Sequence, residues 1–361
     1  MTVELVGREG WDAVLADWTA LYAKDPTATP FLSPGWARAW MREWAPGAEP
    51  WLLRVSDGGR AVGLAPLVLE RRRGVRVLDM LGNGTGDYWD VLAEPHRRGA
   101  VVAEVAEELV RRRRAWDLAF VTGLPAGSPT PAALAEAGLA VHRRPPIACP
   151  SLPLPATFDE YLAGMSRSRR GDLRRHLRRL DDGTVQLRAV TDPAELPGVV
   201  SRWQDLRRRQ WEAQHKTISP VHLSERFRDF MVALLGELIP SGQALLWEFH
   251  HEGRPVGVFV NFADDRAYYC YLGGTEPAAL SLGIGKTAIG EGIRSSIAAG
   301  RQVYDFMRGA EPYKYWYGST DTHVAALVLG NRGIRSRAAL MAMGARFRWR
   351  DRPRAAAASD G

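Results

Sequence analysis

The sequence has very few cysteines and no long apolar segment. Its two cysteines, Cys149 and Cys270, are too few for a disulfide framework, and neither has neighbours at metal-ligand spacing. No window approaches about 20 uninterrupted apolar residues, so the sequence predicts no transmembrane helix. The N-terminal segment lacks the basic and apolar regions of a signal peptide. We therefore expect a cytoplasmic protein that binds neither a metal nor a membrane.

Lysine is also scarce, and arginine supplies nearly all of the positive charge. Lysine accounts for 4 of the 48 basic residues, and the formal net charge is +7. This surplus permits an anionic partner without identifying one. Two of the lysines, Lys286 and Lys314, lie in segments that combine charge with glycines or aromatic rings, and those segments are the candidates for a functional site.

The chain divides into two halves with the same order of predicted elements. In the first half the patterns predict helices at 10–23, 33–44 and 96–114, strands within 50–82 and a strand at 116–124. In the second half they predict helices at 157–180, 193–214, 221–239 and 282–300, a strand–turn–strand unit at 244–262, and strands at 267–273 and 303–309. The proline-rich residues 123–156 are interpreted as a connection between the halves.

Two pairs of segments indicate an internal repeat. Residues 57–68 match residues 251–262 through a shared Gly-Arg-x-Val-Gly at an offset of 194 (253 − 59), and Asp117 matches Asp305 at an offset of 188 (305 − 117). Antiparallel hairpins that lead into a helix and a further strand predict mixed sheets in an α/β fold. We predict two tandem domains, at 1–150 and 151–345, followed by a flexible basic tail at 346–361.

The glycine-rich segment YLGGTEPAALSLGIGKTAIGEGI, residues 271–293, is a candidate anion site. A predicted strand ends in it and a helix begins in it, so backbone amides and the helix dipole would face an anion. Its spacing fits neither a P-loop nor a dinucleotide fingerprint. Close packing alone also explains such a turn, and the two interpretations remain open.

Several segments together resemble a known family. HEGRPVGVFV, AYYCYLGG, the Gly-x-Gly helix start and DFMRGAEPYKYWYG resemble the GNAT acetyltransferase superfamily. More narrowly, they resemble its large tandem-domain branch, the cellulose-biosynthesis-type (BioF2-like) acetyltransferases, which is related to the Fem-type peptidyltransferases. FLSPGWARAWMREW and LGNGTGDYWDVL in the first half are similar to this branch as well. The resemblance covers about residues 30–325 and implies two GNAT-like domains.

The resemblance implies an acyl-CoA donor that is bound by the second domain. The backbone around its pyrophosphate would belong to Leu282, Gly283, Ile284, Gly285, Lys286 and Thr287. In GNAT proteins an Arg or Gln precedes this turn, and here that position holds Leu280. The first domain, which has no comparable helix start, would be structural or would shape the acceptor cleft.

The segment VYDFMRGAEPYKYWYGS, residues 303–319, carries the candidate catalytic residues. Acyl transfer to an amine needs a base for the amine and an acid for the leaving thiolate. Asp305 and Glu311 are candidate bases, and Tyr313 and Tyr317 are candidate acids, with Lys314 beside them. Candidate substrate-binding residues are Arg308, Trp316 and Tyr317 here, and Asp87, Tyr88 and His215 elsewhere. Structural ion pairs, such as Asp305–Arg308 and Glu311–Lys314, are the alternative interpretation.

The arginine-rich residues 167–180 are predicted to form a strongly basic helix. Such a helix either faces solvent or contacts the phosphates of coenzyme A or of a nucleic acid. We therefore predict an acyl-CoA-dependent N-acyltransferase whose acceptor is a small amine, such as a sugar, an amino acid or a biosynthetic intermediate. A Fem-type transferase that uses aminoacyl-tRNA and a non-catalytic binding module remain the alternatives.

Overall fold

The computed structural model describes residues 1–215, 220–331 and 333–341, so the predicted tail at 346–361 lies outside the described residues. The helices are α1 (Trp11–Lys24), α2 (Pro34–Ala39), α3 (Arg98–Arg111), α4 (Thr130–Glu136), α5 (Phe158–Gly164), α6 (Arg167–Asp181), α7 (Leu196–Ala213), α8 (Glu225–Leu238), α9 (Ile284–Ala298) and α10 (Pro312–Tyr315). Residues 334–341 are helical as well. No helix in these ranges is both long enough and apolar enough to cross a membrane.

The strands of the first half are β1 (Thr2–Val6), β2 (Glu49–Pro50), β3 (Leu52–Asp57), β4 (Arg60–Ala65), β5 (Leu67–Arg72), β6 (Val75–Met80), β7 (Leu92–Ala93), β8 (Leu118–Pro125) and β9 (Ala140–Arg143). The remaining strands are β10 (Ile147–Pro153), β11 (Gln186–Val190), β12 (Ala244–His251), β13 (Arg254–Ala263), β14 (Ala267–Thr275), β15 (Val303–Asp305) and β16 (Thr320–Gly330). Together these elements form the mixed α/β fold that the sequence predicts.

One large sheet runs through both halves of the chain. Its strand order is β11-β12-β13-β14-β15-β10-β16-β8-β6-β5-β2, with β9 paired to β16 beside this path, and a smaller sheet has the order β1-β3-β4-β7. Strand β16 pairs antiparallel with β10 on one side and with β8 on the other. Strand β16 therefore joins the two halves by backbone hydrogen bonds. Strand β10 spans position 150, which is the predicted boundary between the two domains.

The predicted repeat is visible as two copies of one β–α–β unit. In the first half β6 and β8 are parallel and α3 connects them, and in the second half β14 and β15 are parallel and α9 connects them. An antiparallel hairpin precedes each unit, β3–β4 in one and β12–β13 in the other. The first copy differs because its sheet divides at Pro66, between β4 and β5.

The structure corrects two secondary-structure predictions. Residues 123–156 are more than a connection, because they contain helix α4 and strands β9 and β10. The predicted helix at 157–180 is two helices, since Met165 is extended and Ser166 starts α6 as its N-cap. Strands β1, β11 and β16 were not predicted, and the prolines at 145, 146 and 150 hid β10 by suggesting a loop.

Aromatic side chains fix the first half against the sheet of the second. Phe31 packs edge-on against Phe262 and Tyr269, each at 5.8 Å between ring centroids, and Trp36 packs against Phe262 at 5.1 Å. Tyr88 lies 6.1 Å from Tyr269 in the same layer. Phe31, Trp36 and Tyr269 are nearly inaccessible to solvent. This layer brings Tyr88 to the edge at which β15 ends.

Gly292 allows α9 to lie close to the parallel strands, which gives a test of this packing. A Cβ at Gly292 would lie 2.9 Å from the ring of Tyr304, whereas Gly236 in the exposed part of α8 has open space around it. We expect Gly292→Ala to lower the free energy of unfolding by about 1–3 kcal/mol. The control Gly236→Ala should raise it by about 0.5–1 kcal/mol through helix propensity.

Urea denaturation of both variants measures these changes. Equal effects of the two substitutions would contradict the close contact between α9 and the β14–β15 pair.

Candidate active site

The candidate site lies where β14 and β15 separate. The two strands pair in parallel over only three positions, the last of which joins Tyr269 to Asp305. Strand β14 then continues to Thr275, while β15 ends at Asp305. Residues 270–275 of β14 therefore pair with no strand of the described chain on this edge, and a wedge opens between them and residues 306–309.

Asp305 occupies the apex of this wedge. Its carboxylate accepts hydrogen bonds from the hydroxyl of Tyr88 (2.8 Å) and from the backbone amide of Met307 (2.7 Å). The side chain is buried, and burial raises the pKa of Asp305 from 3.8 to about 6 even though both hydrogen bonds oppose that shift. Met307 follows with φ of 62°, an unusual conformation for a residue with a side chain.

Arg308 links the loop after β15 to the first half of the chain. Its Nε donates to a carboxylate oxygen of Asp87 at 2.5 Å, and its backbone amide contacts the other oxygen at 3.3 Å. Its Nη2 donates to the carbonyl oxygen of Gly86 at 3.2 Å. The structure thus brings Asp87 and Tyr88 of the first half beside Arg308 and Asp305 of the second half. Both halves therefore contribute residues to this site. The Asp305–Arg308 pair considered from the sequence is replaced by Asp87–Arg308.

Lys314 holds the same loop from inside. Its ammonium lies 2.9–3.1 Å from the carbonyl oxygens of Met307, Arg308 and Gly309, and 2.9 Å from a carboxylate oxygen of Glu311. Because an ammonium has three N–H donors, these four oxygens occupy it fully. The Glu311–Lys314 ion pair is therefore present, and about half of the Glu311 side chain is exposed to solvent.

The remaining aromatic candidates occupy different environments. Tyr313 is 51% exposed, whereas Tyr317 is buried and packs against Phe306 at 5.5 Å between ring centroids. Trp316 lies next to α6 and α9. His215 is exposed at the end of α7, with φ of 52°, and among the described residues no contact joins it to Asp305 or its neighbours.

Helix α9, which follows the glycine-rich turn, has no side-chain cap at its N-terminus. Gly283 is the N-cap of α9 with φ of 64°, and no side chain caps the helix. The backbone amides of Ile284, Gly285 and Lys286 donate to no described acceptor, whereas that of Thr287 is bonded to the carbonyl oxygen of Gly283 at 3.0 Å. A Cβ on Gly285 would meet open space. Three amide donors therefore remain at the positive end of the α9 dipole.

Helix α6 packs directly against this turn. Lys286 pairs with Asp172 at 2.5 Å and lies 4.8 Å above the ring of Trp316. His176 fills the space beside Gly283, where an added Cβ would approach its ring to 2.2 Å. The packing of Asp172 and His176 was not predicted, although their i,i+4 spacing and the glycine at 283 were visible in the sequence.

A basic cleft of about 700 Å³ opens beside α6 and Trp316. Residues that line it include Arg167, Arg169, Asp172, Arg175 and Trp316. Two residues that line the cleft, Asp172 and Trp316, contact the ammonium of Lys286. Within the described ranges no group of three or more histidine, cysteine or acidic side chains is placed to hold a metal ion.

Residues 167–315 match the family model of the acetyltransferase (GNAT) domain. The chain contains a GNAT acetyltransferase domain. This domain makes the protein a transferase, and its range includes α6, the wedge and the turn before α9. No curated protein sequence matches the chain significantly.

Solved structures with the same fold extend over both halves of the chain. FemX superposes with a TM-score of 0.65 at 10% identity, covering 90% of this chain and 97% of FemX. A tandem GNAT protein from the clavulanic acid biosynthesis pathway superposes with a TM-score of 0.51 at 17% identity, covering 92% and 100%. L-PGS from Bacillus licheniformis gives 0.54 at 13% identity, covering 86% and 96%. At these identities the similarity shows that the chain shares the fold of these proteins over both of its halves.

The buried Asp305 gives a stability test that does not depend on activity. A carboxyl whose pKa rises on folding stabilises the protein below its unfolded pKa, and this contribution is lost as the pH rises through the folded pKa. With a pKa of about 6 against 3.8, wild type should lose about 2–3 kcal/mol relative to Asp305→Asn between pH 4 and pH 7.

Urea unfolding of the two proteins across this pH range measures the difference. In Tyr88→Phe, which removes a hydrogen bond that lowers the pKa of Asp305, the midpoint of the change should move to higher pH. A difference between wild type and Asp305→Asn that does not vary with pH would contradict this description of Asp305.

Proposed function

We propose that the protein transfers an acyl group from an acyl-CoA thioester to an amine. The observation that carries this proposal is the wedge between β14 and β15, with an uncapped helix beginning at its edge. The free edge of residues 270–275 offers backbone groups to an amide-containing chain. The amides of Ile284, Gly285 and Lys286 offer hydrogen-bond donors to a pyrophosphate.

The basic cleft beside α6 extends the proposed donor site. Arg167, Arg169 and Arg175 line it, and a donor that carries several phosphates suits this concentration of charge. The ammonium of Lys286 would bind a phosphate oxygen either in place of the Asp172 carboxylate or together with it. Neither the arginines of the cleft nor Lys286 depends on Leu280. The side chain of Leu280 is 79% exposed and, unlike that of arginine or glutamine, it is apolar.

Asp305 and Tyr88 are the proposed proton-handling pair. During transfer the amine nitrogen bonds to the thioester carbon, the carbon–sulfur bond breaks, the nitrogen loses a proton and the sulfur gains one. A carboxylate with a pKa of about 6 is ionised at neutral pH and still basic enough to accept a proton. The hydroxyl of Tyr88, 2.8 Å from Asp305, would return a proton to the sulfur.

The other candidates take supporting or acceptor-binding roles in this proposal. Lys314 and Arg308 position the loop after β15, since their donors already contact backbone carbonyls and Asp87. Glu311 and Tyr313 are exposed at the mouth of the wedge, where an ammonium group of the acceptor would approach. Trp316 belongs to the donor side through its contact with Lys286.

A second candidate function is transfer from aminoacyl-tRNA. Arg167, Arg174 and Arg178 share one face of α6 by their i, i+7 and i+11 spacing, and no side-chain hydrogen bond or ion pair joins them to a described residue. Such a face suits a polyanion larger than coenzyme A. A binding module without catalysis is the third, and the buried, hydrogen-bonded Asp305 does not favour it.

Isothermal titration with acetyl-CoA tests the proposed donor site. We expect micromolar binding by wild type and at least tenfold weaker binding by Gly285→Asp, which places a carboxylate where a phosphate would lie. The new side chain meets open space, and aspartate is favourable in a first helical turn, so folding should persist. Gly198→Asp, in the first turn of α7, is the matched control and should bind as wild type does.

Other outcomes would contradict the proposal. If folded wild type binds neither acetyl-CoA nor longer acyl-CoAs but retains a charged tRNA, the second candidate replaces the first. If Gly285→Asp binds acetyl-CoA as tightly as Gly198→Asp does, the donor phosphates lie elsewhere.

A further inference from the structure

Arg207 contacts the part of β14 that has separated from β15. It lies on α7, which packs so closely on β14 that a Cβ on Gly274 would come within 3.1 Å of the backbone of Trp203 and Arg207. Its Nη1 donates to the carbonyl oxygen of Gly273 at 2.9 Å. Gly273 belongs to the part of β14 that has separated from β15, so the guanidinium lies at the mouth of the wedge.

The guanidinium has almost none of the partners that its charge requires. The bond to Gly273 is its one hydrogen bond among the described residues, and no described carboxylate forms an ion pair with it. Its Nε is shielded from solvent without any acceptor. Burial lowers the pKa of Arg207 from its usual value. Five N–H donors with one acceptor are an unfavourable arrangement unless another anion completes it.

The side chains around Arg207 make a small polar site. Gln210 and Trp211 follow at i+3 and i+4 on the same face of α7, and the guanidinium lies 4.6 Å from the centre of the Trp211 ring. The carboxamide oxygen of Gln210 is also buried without a donor. Glu311 and Tyr313 are near enough to interact electrostatically with Arg207. An unpaired donor and an unpaired acceptor therefore lie one helical turn apart.

We propose that Arg207 binds a carboxylate of the acceptor, so that the acceptor is an amine that also carries a carboxylate group. This proposal rests on the proposed function, because it names the acceptor of that same site. The carboxylate would accept hydrogen bonds from the guanidinium, and the amine would lie toward Glu311 and the apex at Asp305. Gln210 would accept a hydrogen bond from an N–H of the same molecule.

The charge around the site favours a carboxylate over a phosphate. Arg207 has no described counterion, and the negative charge of Glu311 nearby is already paired with Lys314. A single carboxylate balances one guanidinium and matches its planar shape. A phosphate dianion would carry one negative charge more than the single guanidinium balances.

The test compares carboxylate-bearing amines with their neutral analogues. Acceptor-dependent release of free thiol from acetyl-CoA is measured with α-, β- and ω-amino acids, with dipeptides, and with the corresponding carboxamides. We expect kcat/KM for the best carboxylate to exceed that for its carboxamide by about 100-fold in wild type. In Arg207→Gln this ratio should fall to about 3 or less, and in Arg207→Lys it should be intermediate.

Matched controls separate acceptor recognition from folding and from the donor site. Arg208→Gln removes an exposed arginine that pairs with Asp205 and Glu212 on the same helix, and it should leave the ratio unchanged. Acetyl-CoA binding, measured by titration, should persist in all of these variants, because the bond to Gly273 is the one described contact of Arg207 with the proposed donor edge and the amides of Ile284, Gly285 and Lys286 are unchanged.

Several results would overturn the inference. They are equal use of carboxylates and carboxamides by wild type, an unchanged ratio in Arg207→Gln, and acylation of carboxylate-free amines alone. Absence of any acylation of the carboxylate-bearing panel by protein that binds acetyl-CoA would also overturn it and leave the donor assignment standing. Failure to bind any acyl-CoA would instead remove the proposed function.

Discussion

The candidate site depends on the point at which β15 stops pairing with β14. Parallel pairing ends at Tyr269 and Asp305, and from there the backbone groups of β14 need other partners. The divergence creates the wedge, sets Asp305 at its apex and frees the edge that the donor is proposed to use. Helix α9 begins beside the same wedge because it connects these two strands. The free helix amides and the buried carboxylate are thus consequences of one β–α–β unit.

The first half of the chain has a specific part in this arrangement. Its own β–α–β unit, β6-α3-β8, continues the same sheet through β16. It also supplies Tyr88 and Asp87, which contact Asp305 and Arg308. The loop after β15 is stabilised by Lys314 from the second half and by Asp87 from the first. A loop that includes Met307 with positive φ persists because these contacts determine its conformation.

Local patterns in the sequence predicted several elements of the fold and singled out the candidate site residues. The hairpins, the helix after the glycine-rich turn and the cluster of Asp305, Arg308, Glu311 and Lys314 were all visible as spacing and composition. Strand β16 was missed because its first four residues are polar and exposed, and because its pairing with β8 and β10 is non-local. The role of Arg207 could not be predicted from the sequence. The chain contains many arginines, and only the structure shows that this one has no described counterion.

The central claim is that an acyl-CoA donor occupies the wedge, with its thioester beside Asp305 and Tyr88. A crystal structure of the protein with coenzyme A tests this claim most directly. We predict that the amide-containing arm lies along residues 270–275, that the pyrophosphate contacts the amides of Ile284, Gly285 and Lys286, and that the thiol points to Tyr88. Coenzyme A bound on another surface, with the wedge closed or filled by protein side chains, would contradict the account.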